Sequence, residues 1–227
     1  MTPDIIRLIN DDKKQSLVVP FEKSIKGRTV MWQPDKEIVV LISERDKKLY
    51  LSGAGPIEQF PHRVGRHKQA GEFPVMAVRQ LLLDQGYNVY VSGLSKVGMA
   101  SYSLAMYPGQ RQDPAFENTR RVLHLDDCAL NDFLKQLKGS RGKSDLGRHG
   151  GDPDMLVQHQ KDPTDRFFVE VKAESRIYKD DLTAQQRVVF PLIQSHLKER
   201  IILAKVHILG VECGKARKDI WRAAFKG

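Results

Sequence analysis

Two strand-like runs, "DPDMLVQH" (residues 152–159) and "DRFFVEVKA" (165–173), are separated only by "QKDPT". So short a link, with Asp162 and Pro163 as turn residues, predicts an antiparallel hairpin. Side chains alternate across a strand, so Phe167, Val169 and Val171 share one face with Met155 and Val157 of the partner run. That apolar surface needs a helix to cover it. Glu170 and Lys172 then lie together on the opposite face, and an even register brings Asp154 opposite residue 170 or 172. A slip of one residue would bury the charges and expose the apolar set.

Two carboxylates and an ammonium on one strand face suit a specific chemistry. Asp154 and Glu170 are hard oxygen ligands for Mg²⁺ or Mn²⁺, which keeps several waters and completes its shell with phosphate oxygens. A cation held there polarises a phosphodiester and lowers the pKa of a water, while Lys172 positions or deprotonates that water and offsets developing charge. The competing reading is a surface cluster of weak ion pairs, worth ~0–1 kcal/mol. Spacing alone leaves both open.

The surrounding residues extend the pattern. Pro153-Asp154 followed by Glu170-Val171-Lys172 resembles the PD-(D/E)XK motif of restriction-endonuclease-like nucleases. "GDPDMLV", "FFVEVKAES" and "DDLTAQQ", the last contributing Asp180, Leu182, Thr183 and Gln186, are most similar to the VRR-NUC branch. The resemblance spans about residues 151–190. It implies an α/β fold with a mixed central sheet flanked by helices, and Mg²⁺-dependent hydrolysis of DNA phosphodiester bonds, with Mn²⁺ as a substitute. The expected enzyme is an endonuclease, structure- or site-specific, leaving a 5′-phosphate and a 3′-hydroxyl. By the same resemblance Asp154, Glu170 and the Val171 carbonyl hold the metal. Lys172 addresses the attacking water, and Glu72 and Gln186 complete the site, Glu72 also as a metal ligand. Thr183 suits the N-cap of the helix carrying Gln186. The alternatives are a non-catalytic nucleic-acid-binding module and an RNA-directed nuclease.

The rest of the chain fills in this frame. "QSLVVPF", "RTVMWQP", "EIVVLIS" and "KLYLSG" predict a small β meander over residues 14–53, part of a β-rich segment reaching residue 65. A nuclease domain follows over residues 66–227, with an insertion at about 94–150 that shapes the substrate groove. "GEFPVMAVRQLLLDQG" predicts a helix that Pro74 starts and Gly86 stops, putting Glu72 at or just outside the first turn. "YNVYVSG" and "RRVLHLD" read as strands, "YPGQRQDPAFEN" as loop, and "DDCALNDFLKQLKG" as an Asp-capped helix stopping at Gly139. After the hairpin come a helix in "TAQQRVVFPLIQSHLKE", a strand in "RIILAKVHILGVE" and a short basic helix in "KARKDIWRAAF". Trp32 and Trp221 are expected in the core.

Charge narrows the partner. The formal net charge is +9, which favours a polyanion. Cationic residues gather in "HRVGRHK", with Arg63, Arg66 and Lys68, and in the glycine-rich "KGSRGKSDLGRHGG", with Arg141, Lys143, Arg148 and His149. These are the candidate contacts to the DNA backbone. Two cysteines, Cys128 and Cys213, without CxxC spacing argue against disulfide, structural zinc or iron–sulfur scaffolds. No apolar stretch nears the ~18 residues that span a bilayer, and the N-terminus lacks a secretory pattern. A cytoplasmic protein with no membrane partner is expected. A homodimer and a protein partner docked on the N-terminal segment are compatible with this reading.

Overall fold

The computed structural model describes residues 9–10, 24–25, 28–29, 34–55, 57–59, 66–93, 99–104, 114–140, 151–173, 182–183 and 185–209. In chain order the strands are β1 (Ile9–Asn10), β2 (Ser24–Ile25), β3 (Arg28–Thr29), β4 (Lys36–Ser43), β5 (Tyr87–Ser92), β6 (Ser101–Tyr102), β7 (Met155–His159), β8 (Arg166–Ala173) and β9 (Ile201–Leu209). The helices are α1 (Glu44–Ser52), α2 (Arg66–Asp84), α3 (Pro114–Leu123), α4 (Asp127–Ser140) and α5 (Gln186–Leu192), the last running into a π turn at Ile193–Leu197. Seven strands form one mixed sheet in the order β1-β4-β9-β8-β7-β5-β6, while β2 and β3 pair separately. The chain is thus α/β, with helices on both faces of the sheet.

The hairpin explains the layering. β7 and β8 are antiparallel, with Met155 opposite Val169 and Val157 opposite Phe167. Met155, Val157, Phe167, Val169 and Val171 pack together as the alternation predicts, against Phe73, Met76, Ala77 and Val78 of α2. The alternate positions Leu156 and Phe168 face the other way, into a second core with Phe116, Leu130, Phe133, Val189 and Phe190 from α3, α4 and α5. A sheet buried on both faces needs apolar residues at consecutive positions. Glu170 and Lys172 follow Phe168 on that second, helix-covered face.

Several local expectations are corrected. "KLYLSG" is helical, because Ser43 caps α1: the Asp46 N–H donates to Ser43 Oγ at 3.0 Å, and Gly53 closes the helix with φ +74°. β4 accordingly does not continue a meander; it pairs in parallel with β9 along its whole length, Lys36–Ser43. "RRVLHLD" is not a strand: Arg120–Leu123 end α3, which starts at Pro114 and buries Ala115, Phe116, Thr119, Val122 and Leu123 at helical spacing. Residues Pro114–Asn118, expected in a loop, belong to the same helix. Asp126 does cap α4, accepting from the Ala129 N–H at 2.7 Å, but the helix runs through Gly139 to Ser140.

Pro74 lies inside α2 and does not begin it, so Glu72 is a mid-helix residue. Proline forfeits one main-chain bond and crowds the preceding turn, a cost of roughly 3 kcal/mol. Burial of Phe73, Met76, Ala77 and Val78 offsets that cost. The expected strands over "QSLVVPF", the terminal basic helix, both tryptophans and Cys213 lie outside the described residues. So does most of "RTVMWQP".

Candidate active site

The register of the hairpin sets the site. Residue numbers of facing partners in the β7–β8 ladder sum to 324, so its continuation puts Asp154 opposite Glu170. Asp154 stands just before β7, where its carbonyl accepts from the Ser92 N–H of β5 at 2.8 Å. Its Oδ2 accepts from the Val171 N–H at 2.7 Å.

Pro153 explains why that N–H is available. The ladder's hydrogen-bonded pairs recur every second residue, and the His159 N–H donating to the Asp165 carbonyl at 2.9 Å fixes their phase. Val157 with Phe167 and Met155 with Val169 follow, and the next would join residue 153 to Val171. Proline has no N–H to give. The Pro153 carbonyl, meanwhile, accepts from the Tyr102 hydroxyl. Both halves of a normal bridge are therefore diverted. The Val171 N–H turns to the Asp154 carboxylate, and proline at position 153 leaves no N–H there for the Val171 carbonyl to accept from.

The residues around Pro153 each hold this turn. Gly151 has φ +105°, and a Cβ there would stand 2.9 Å from Val189 Cγ2 and 3.0 Å from the Gln185 backbone, so only glycine lets the turn lie on α5. Asp152 Oδ2 accepts from the Leu104 N–H at 3.1 Å. The sequence pattern marks neither Asp152 nor Tyr102 as a site residue. No local signal marks Tyr102, whose bond to Pro153 spans 51 positions.

Glu170 is 1% exposed. Its Oε1 takes two donors: Lys172 Nζ at 2.8 Å and Gln186 Nε2 at 2.7 Å. Its Oε2 is buried with no hydrogen-bond partner. Burial pushes the Glu170 carboxyl up to about 8, and the negative charge of Asp154 adds to the rise. Lys172 and Gln186 only partly counter it. Burial also lifts the fully buried Tyr102 hydroxyl well above its ordinary 10, with Asp152, Asp154 and Glu170 contributing, so it remains a proton donor.

Gln186 is oriented by the start of its own helix. Its N–H donates to Thr183 Oγ1 at 3.2 Å, and its Oε1 accepts from the Thr183 N–H at 3.0 Å. This is a capping box with Thr183 as N-cap, and the Arg187 N–H bonded to the Thr183 carbonyl places the first helical turn there. With Oε1 turned to Thr183, and to Lys172 Nζ at 3.5 Å, the amide presents its Nε2 to Glu170.

The structure thus gathers Asp154, Glu170, Val171, Lys172 and Gln186. Glu72 lies on α2, and its Oε2 is also buried without a partner. Among the described residues, however, no three His, Cys, Asp or Glu side chains form a metal-holding group. Cation-binding atoms within the gathered set are the carboxylates of Asp154 and Glu170 with the Val171 carbonyl. Arg63, Arg141, Lys143, Arg148, His149 and Asp180 lie outside the described residues, as do the side chains of Arg66 and Lys68.

The fold and site define an α/β chain with two carboxylates, Glu170 buried and Asp154 half-buried, at one edge of a broken hairpin ladder. No protein family, no curated protein and no solved structure matches it. Among the described residues no helix is long and apolar enough to cross a membrane.

Proposed function

We propose that this chain is a metal-dependent nuclease that hydrolyses DNA phosphodiester bonds, an endonuclease of the PD-(D/E)XK type. The observation that carries the proposal is the state of Glu170. One carboxylate oxygen is saturated by Lys172 and Gln186, while the other is buried and bare beside a second carboxylate. An orphaned buried acceptor costs roughly 1–3 kcal/mol, and the neighbouring negative charge adds to it. A hard divalent cation relieves both and suits this all-oxygen donor set.

Asp154, Glu170 and the Val171 carbonyl would hold Mg²⁺ or Mn²⁺, with Glu72 of α2 as a further ligand by the resemblance alone. When bound, the ion supplies polarisation of the scissile phosphate and a lowered pKa for a water. Lys172 Nζ hydrogen-bonds the attacking water and offsets the charge that develops on the phosphate oxygens. Gln186 keeps Glu170 aimed, so its Oε2 remains available to the cation. The net charge of +9 supports a polyanionic substrate, with the clusters around Arg63, Arg66 and Lys68 and around Arg141, Lys143, Arg148 and His149 as backbone contacts.

The test is cleavage of labelled single-stranded, duplex, flapped and four-way DNA, and of matching RNA, in Mg²⁺, Mn²⁺ or EDTA. Wild type and Lys172→Ala are run side by side. Cutting of DNA only with metal, reduced by roughly 10²-fold or more in the variant, is the expected result. Cutting that survives Lys172→Ala overturns the site assignment. Binding without cutting favours a non-catalytic module, and preference for RNA changes the substrate.

A further inference from the structure

We propose that Tyr102 is a positioning residue for the metal site: by holding the Pro153 carbonyl, its hydroxyl steers the Asp154 carboxylate onto the Val171 N–H. The inference rests on the metal-dependent reading above and extends it to a residue 52 positions before Asp154.

A tyrosine needed only for packing would leave its hydroxyl at the surface or on any convenient acceptor. Tyr102 is fully buried, with its ring against Phe168 at 5.6 Å. Its hydroxyl reaches the one carbonyl whose capture matters to the site. With the Pro153 carbonyl free, the Val171 N–H would have the ordinary antiparallel acceptor. Asp154 would then lose the donor that fixes its Oδ2.

The direction of the hydroxyl is also set. The Ser92 side chain hydrogen-bonds the same hydroxyl, and because the Tyr102 proton goes to the Pro153 carbonyl, Ser92 must be the donor.

The segment bearing Tyr102 is clamped as a positioning element would require. The Ser103 N–H donates to Thr119 Oγ1 at 3.1 Å, and the one Thr119 hydroxyl proton is shared between the Ser103 carbonyl at 2.9 Å and the Ala115 carbonyl at 3.0 Å. Asn118 Nδ2 donates to the Ser101 carbonyl at 2.9 Å. On the other side, the Gly93 N–H donates to the Tyr102 carbonyl at 2.9 Å. α3 and β5 therefore grip residues 101–103 from two sides, and the grip passes through Tyr102 to Asp154.

The decisive measurement is Mn²⁺ affinity, by titration calorimetry below the unfolding temperature, for wild type, Tyr102→Phe and Ser92→Ala. Removing a partner that orients a metal-binding carboxylate weakens binding by roughly 10–100-fold. Tyr102→Phe is expected to raise the Kd for Mn²⁺ by about tenfold or more on that basis. Ser92→Ala leaves the ring and hydroxyl in place and is expected to raise it by a smaller factor. A purely structural tyrosine would lower the melting temperature without changing the Kd of the folded protein, and that result overturns the proposal. If Tyr102→Phe does not fold, Ser92→Ala decides: an unchanged Kd overturns the proposal and a raised one supports it. Wild type that binds no Mn²⁺ overturns the metal-dependent reading itself, whereas equal binding by wild type and variants removes only the role of Tyr102.

Discussion

At the scale of single residues, Glu170 is where burial and charge oppose each other most. Its folded-state pKa of about 8 lies above the ordinary 4.5, so the folded chain holds that proton more tightly than the unfolded one. The associated stability is fully present below about pH 4.5 and is lost as pH rises through about 8. In EDTA, wild type is therefore expected to lose thermal stability between pH 5 and pH 9. Glu170→Gln stays neutral throughout and should show a shallower decline, so the gap between the two melting curves shifts in favour of the variant with rising pH. Each kcal/mol relieved moves the midpoint by roughly 2–4 °C for a chain of this size. Parallel pH profiles would mean that Glu170 is not held protonated in the metal-free protein. Asp154, Glu170 and Lys172 were legible in the sequence because a hairpin and a period of two place them without knowledge of the rest. Tyr102 was not, since its bond depends on two segments that meet only in the folded molecule.

At the scale of elements, the site depends on how one turn and one helix start fit together. Gly151→Ala adds a Cβ 2.9 Å from Val189 Cγ2 at φ +105°. Strain of this kind costs on the order of 1–3 kcal/mol, and a fall of several degrees in melting temperature is expected by calorimetry. Thr183→Val removes the oxygen that accepts from the Gln186 N–H. It should cost about 1 kcal/mol as a lost cap and also release the Gln186 amide. Cleavage is then expected to fall further than the small loss of stability explains. Wild-type rates in Thr183→Val would show that Gln186 needs no capping box to hold its place. The Thr183–Gln186 pair was readable as a helix start. Its second use, aiming Gln186 Nε2 at Glu170, arises because Gly151 lets the hairpin lie directly on α5.

At the scale of the whole molecule, the sheet ties the N-terminal part to the site. β4 precedes residue 65, yet it pairs with β9, which pairs with β8. Ile38, Val40 and Ile42 of β4 share the core that contains Val169 and Val171. A chain beginning at Arg66 leaves β9 as an uncovered edge and strips that core, and it is expected to be insoluble or to unfold without a cooperative transition. A soluble, cooperatively melting chain from residue 66 would show the N-terminal part to be dispensable. α3 and α4, within the span expected as an insertion, likewise supply core residues to the face that carries Glu170.

The sequence by itself determined the hairpin, which residues share each of its faces, the capped helices α4 and α5, and the residue types at the heart of the site, but not that helices also cover the face carrying Glu170. These follow from local rules: alternation along a strand, the spacing of apolar residues on a helix, and the caps that end it. Only the tertiary structure decided that "KLYLSG" and "RRVLHLD" belong to helices. The same is true of β4 joining the last strand and of Pro74 lying inside α2. In each case burial against distant segments outweighed a short local pattern that suits either conformation. It also decided the state of Glu170, because desolvation and a bare oxygen are properties of everything packed around a carboxylate.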